Sequence, residues 1–153
     1  MGVDIHFFVE TERHGFWDLE AEFFLPRDVA LISLISSHGI RGHDSANQST
    51  AGFPEEVSRR VVGKWGTWDK EVAGYPPSWG NVEPFKDSYI GKVYPYFGIF
   101  GEGWMTTEQF ANILKMHTDS GDYAQGQYHS ALEYMQSIEA KGIPCRAVFF
   151  FDN

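Results

Sequence analysis

Met1-Gly-Val-Asp-Ile-His-Phe-Phe-Val-Glu10 opens the chain, and its alternation decides the fold. Val3, Ile5, Phe7 and Val9 interleave with Asp4, His6, Phe8 and Glu10, a period of two that predicts a half-buried strand. The apolar face belongs on a core. The other face carries a carboxylate and an imidazole two residues apart, hence roughly 6.5–7 Å from each other on one side of a sheet. Side chains so spaced can converge on one metal, water or ligand atom, or they can simply face water.

The opposite end answers this strand. Cys145-Arg-Ala-Val-Phe-Phe-Phe-Asp-Asn153 is a bounded, apolar, β-rich run of the kind that forms an interior strand. Arg146, Val148, Phe150 and Asp152 share one face, and Ala147, Phe149, Phe151 and Asn153 the other.

Between these ends, Glu12-Arg-His-Gly15 reads as a hairpin turn into a return strand, Phe16 to Phe23. Arg27-Asp28 begin a helix with apolar Val29, Leu31, Ile32, Leu34 and Ile35, and Asp28 suits its positive end. After a polar loop from Ser37 to Gly52, Pro54 is expected to start a second helix whose apolar face is Val57, Val61, Val62 and Trp65. Gly66 to Phe85 is punctuated by glycine and proline and reads as loop, anchored on the core by Trp65, Trp68 and Trp79. Ser88 to Trp104 fits short strands or an aromatic-lined loop equally, with rings for core packing or for stacking a nucleobase. A helix opens at Thr106 with Gln109 completing a capping box, and another runs from about Tyr123 to a stop at Lys141-Gly-Ile-Pro144. The expectation is a single α+β domain over residues 1–153. Its small, mostly antiparallel sheet has the N- and C-terminal strands near its centre and helices packed on one face.

Composition narrows the function classes. With 153 residues, 42% hydrophobic, the chain is long enough for one real core. Its 21 acidic residues against 12 Lys and Arg give a net charge of −9, which opposes direct binding to nucleic acid and suits a basic protein partner. Cys145 is the only cysteine, so an internal disulfide and a cysteine-rich zinc knuckle are excluded. No stretch has the length of a membrane span and the opening run carries no basic leader, so a cytoplasmic setting is expected. There is no GxSxG, P-loop or HExxH. Cofactor and oligomeric state are left open.

Asp4 and His6 are the candidate catalytic pair, as ligands or as a carboxylate-oriented general base. A metal would need a further ligand from His38, His43, Asp44 or Asp152, and the sequence leaves it open. Arg27 and Arg146, held on rigid elements, are candidate anion binders; their alternative is a salt bridge to Asp4, Asp28 or Asp152. The loop carrying His38, Arg41, His43 and Asp44 either closes over an anion or is merely exposed. His117, near a helix end, and His129, one turn before Glu133, need no functional role. Cys145 reads as a buried, inert thiol.

The start Met-Gly-Val-Asp-Ile-His, the Arg27-Asp28 pair, Phe53-Pro-Glu-Glu-Val-Ser58, Ser78-Trp79 and the terminal Arg-Ala-Val-Phe-Phe-Phe-Asp-Asn form short islands at both ends and near the middle of the chain. Together they resemble a poorly characterised family of small bacteriophage and prophage proteins that begin Met-Gly-Cys-Asp-Ile-His and end in a Phe-Asp-Asn strand. This chain departs from that pattern at Val3, where cysteine is usual, and at Tyr75-Pro76-Pro77, in place of a segment often carrying histidine. The resemblance implies a phage setting in a host cytoplasm and no particular reaction. The leading expectation is a protein that binds a small anionic or nucleotide-like ligand, to counter a host signal, in a polar pocket lined by Asp4, His6, Arg27, Asp28 and Asp152, with Arg146 as a further anion binder. The alternatives are a hydrolase using Asp4 and His6, metal-dependent or not, and an acidic inhibitor of a host protein.

Overall fold

The structure, a computed structural model, describes residues 2–36, 49–119, 121 and 126–153. Strands β1 (Asp4–Arg13) and β2 (Phe16–Phe24) form a hairpin whose two-residue turn, His14-Gly15, has both residues at positive φ, 56° and 82°. That conformation matches the twist of the flanking strands and is one glycine tolerates freely. β1 also pairs antiparallel with the terminal strand β8 (Cys145–Asp152), Asp4 opposite Asp152 and Glu10 opposite Arg146. β7 (Ile99–Thr106) and the short β3 (Thr50–Ala51) complete a five-stranded antiparallel sheet in the order β2-β1-β8-β7-β3. The two ends of the chain thus lie side by side in its middle, and the fold is a single-domain α+β arrangement.

One face packs on three helices. Ile5, Phe7, Val9, Ala147, Phe149 and Phe151 meet α1 (Val29–Ile35), α3 (Thr107–Asp119) and α4 (Gly126–Glu139) in the larger core. Asp28 caps α1, its Oδ1 accepting from the Leu31 amide (3.1 Å). The Thr106–Gln109 box opens α3 reciprocally, at 3.1 and 2.8 Å. α4 leads through a turn at Gly142, where φ is 78°, into β8.

The second face is covered too. α2 (Arg59–Trp65) and a three-stranded sheet, β4 (Gly66–Thr67), β6 (Gly91–Pro95) and β5 (Phe85–Asp87) in the order β4-β6-β5, sit on Phe8, Val148 and Phe150. Among the described residues, three of the four helices therefore share one face, and α2 lies on the other. Phe8 and Glu10, which alternation gives to the polar face, are fully buried. Almost every β8 side chain is buried, as an interior strand sandwiched on both sides requires.

Three local expectations are corrected. The second helix begins at Arg59 and not at Pro54, because Glu56 takes φ 56° and Ser58 supplies the cap, accepting from the Arg60 amide. Within Gly66–Phe85, read as loop, Gly66–Thr67 form β4 and Phe85 begins β5; of the two readings open for 88–104, the strands hold, as β6 and β7. Trp65 anchors on the core, but Trp68 and Trp79 are 72% and 50% exposed. Tight backbone approach explains Gly66: a Cβ there would run into the Tyr94 carbonyl across the β4–β6 ladder.

Candidate functional site

The residues singled out from the sequence fall into three separate places. Asp4 and Asp152 are cross-strand partners at one end of the central pair, and His6 Nε2 lies 3.4 Å from Asp152 Oδ2. The imidazole stacks on Phe150, centroids 4.9 Å apart. Arg27 reaches this group from the segment after β2 and grips Asp4 with two parallel hydrogen bonds, Nε to Oδ1 and Nη2 to Oδ2 (2.9 Å). The hydrogen bonds from Arg27 hold the Asp4 carboxyl below its ordinary range. Gly2 makes room for this clamp, since a Cβ there would strike the guanidinium. Asp4, His6, Arg27 and Asp152 thus converge, with the His6 imidazole 35% and the Arg27 side chain 58% exposed. Their charges are spent largely on each other at an open edge.

Asp28 and Arg146 lie elsewhere. Asp28 faces the helical layer, its Oδ2 3.2 Å from Nε2 of the buried His117. That imidazole, near the C-terminal end of α3, is packed inside against the carboxylate. Arg146 sits toward the other end of β8, its Nε donating to Glu10 Oε1 (2.7 Å) and its guanidinium 3.9 Å over the Trp17 ring. Glu10 Oε2 in turn accepts from the Ser58 amide (2.7 Å). Burial raises the Glu10 carboxyl above its usual range despite the arginine. Arg146 is committed to a buried ion pair rather than offered to a ligand.

Cys145 is buried, and burial pushes its thiol up to about 12, which suits the inert reading. The loop with His38, Arg41, His43 and Asp44 lies outside the described residues. Among the described residues no three His, Cys, Asp or Glu side chains gather as a metal site needs. Nor is any described helix long and apolar enough to cross a membrane.

A concavity that the sequence did not single out lies above the Glu10–Arg146 pair. It has a volume of about 750 Å³ and is bounded by the β1–β2 turn, the start of α2 and the β5–β6 turn. Phe16, Trp17 and Tyr89 give it aromatic walls, with Val57 and Ile90 as apolar lining. Phe16 and Tyr89 are 75% and 81% exposed. The guanidinium of Arg146 covers one face of the Trp17 indole and holds that wall in place. Ser58 Oγ and Arg60 both bond to Asp18 Oδ1, at 3.2 and 3.1 Å, tying the hairpin to α2. These bonds hold Asp18 below its ordinary range, Arg60 being the main cause. The β5–β6 turn is fixed by Asp87, whose Oδ1 accepts from the amides of Tyr89 (2.7 Å) and Ile90 (3.2 Å). The one sequence signal for this site was the aromatic richness of segment 88–104, which contains Tyr89. The other walls come from segments far apart in the chain.

Comparison with protein-family models, with curated proteins and with solved structures finds no match to this chain.

Proposed function

We propose that this protein binds a compact, ring-bearing ligand of nucleobase or nucleoside type in the cavity between the β1–β2 turn, α2 and the β5–β6 turn. The observation that carries the reading is a hollow of about 750 Å³ walled by the rings of Phe16, Trp17 and Tyr89. Ligand sites are concave, mostly apolar and a few hundred to a thousand cubic ångströms in size, as this one is. Stacking a base on an aromatic side chain is worth about 1–3 kcal/mol. The resemblance of the chain's two ends to phage proteins supports a setting in an infected host, where capture of such a ligand would counter a host signal.

Calorimetric titration with the four common ribonucleosides and their 5′-monophosphates tests the reading. The expected result is saturable binding with Kd below about 1 mM for at least one ring type, weakened about tenfold or more by Tyr89→Ala. No saturable binding, or binding unchanged in Tyr89→Ala, overturns it.

A second reading rests on the His6–Asp152 pair, whose geometry suits a carboxylate-oriented imidazole acting as general base in a hydrolase, with Asp4 beside it. Turnover of a nucleotide that is lost in His6→Ala and kept in Tyr89→Ala would favour that reading over the first.

A further inference from the structure

A second hollow of about 360 Å³ adjoins the first and shares Arg59, Tyr89 and Ile90 with it. Its own walls include Val62, Trp68, Val93 and Tyr96, and among the described residues Arg59 is the only charged one lining it. The saddle between the two is fixed: Arg59 Nη2 donates to the Tyr89 carbonyl (3.0 Å), and Trp68 Nε1 donates to the Ile90 carbonyl (3.1 Å).

Two further observations point to an occupant. Arg60 is taken up by Asp18 and by the Leu19 carbonyl, whereas Arg59 has no carboxylate within ion-pair distance among the described residues. Most of its donors are therefore uncommitted, at the boundary of the hollows. Gly63, which lines the second hollow, lies inside α2, where glycine disfavours the helix relative to alanine. A Cβ there would meet nothing within 4 Å, so packing within the chain does not demand glycine. A longer side chain at this lining position would enter open space.

Building on the ring-binding reading, we propose that the two hollows form one bipartite site. Its ligand carries a ring for the first, a singly anionic linker such as a phosphodiester at Arg59, and a short apolar arm for the second. A polyphosphate does not fit, because Asp18, Glu55, Glu56 and Asp87 outnumber Arg59 and Arg60 around the first hollow.

Calorimetric titration of the whole chain with the ribonucleosides, their 5′-monophosphates and the phenyl esters of those monophosphates tests this. The phenyl ester is expected to bind about tenfold tighter than the monophosphate. Gly63→Leu should erase that gain, leave nucleoside binding within about twofold, and raise Tm by about 2–4 °C, which shows that the variant is folded. Gly63→Ala, a smaller filling, should erase part of the gain. Arg59→Met should weaken the monophosphate and its phenyl ester more than it weakens the free nucleoside. An ester no tighter than its monophosphate, or a gain that survives in Gly63→Leu, overturns the bipartite site while nucleoside binding leaves the ring reading standing. Failure of every nucleoside to bind removes both.

Discussion

Arg146 shows how far a single residue can be read. From the sequence it shares a strand face with Asp152 and either meets an anion or pairs with Asp4, Asp28 or Asp152; in the fold it is buried against Glu10, its register partner. Facing is a local property of the strand, but the partner is set by the pairing of segments 136 residues apart, which spacing along the chain does not reveal. Removing one member of a buried pair leaves the other charge uncompensated. Arg146→Met is therefore expected to destabilise the protein by about 3–5 kcal/mol, and Glu10→Leu/Arg146→Met to recover much of the loss, as urea unfolding will read. Arg27→Met, which breaks only an exposed clamp, should cost far less. The Cys145 thiol, held up at about 12, should alkylate much more slowly at neutral pH in the folded protein than in urea.

At the scale of elements, legibility followed length and regularity. β1 and β8 alternate or run apolar for eight residues or more, and both their strand character and their central place follow from that. The capping box at Thr106 and Gln109 likewise stands as the spacing predicts. Thr106→Ala should cost about 1 kcal/mol, measured as a shift in the urea midpoint with unchanged slope. The region from Gly66 to Pro95 was not legible because β4, β5 and β6 span only two, three and five residues and owe their existence to the sheet face beneath them. Phe8 was the overlooked clue: a phenylalanine on the polar face of β1 is hard to leave in water. It packs tilted against Phe150 under α2, and Phe8→Ala should cost about 3–5 kcal/mol in the same unfolding experiment.

At the scale of the molecule, the covered second face determines where a ligand can go. Asp4, His6 and Asp152 of the terminal strands meet at one end of the sheet as an exposed and mutually paired group with Arg27, while Glu10 and Arg146 pair apart from them, buried. The aromatic cavity is built from two turns and a helix start that no linear motif connects, so the sequence showed rings without a site. Acid sensitivity follows from the paired carboxylates. Asp4 and Asp18 titrate below their unfolded value of 3.8 because Arg27 and Arg60 bond them, so the unfolded chain binds more protons in that window. Their contribution is complete above about pH 3.8 and is lost as pH falls through the lower folded values. Tm should therefore fall as pH drops below about 3.8, and less steeply in Asp4→Asn/Asp18→Asn.

The central claim, that the ring-walled cavity and not the terminal-strand cluster is the ligand site, is tested most directly by mapping backbone amide shifts during a nucleoside titration. The account predicts saturable shifts clustered at Gly15 to Asp18, Val57 to Arg60 and Ser88 to Ile90, with the amides of Asp4, His6 and Asp152 unmoved. Shifts centred on Asp4, His6 and Asp152, or no saturable shifts at all, would contradict it.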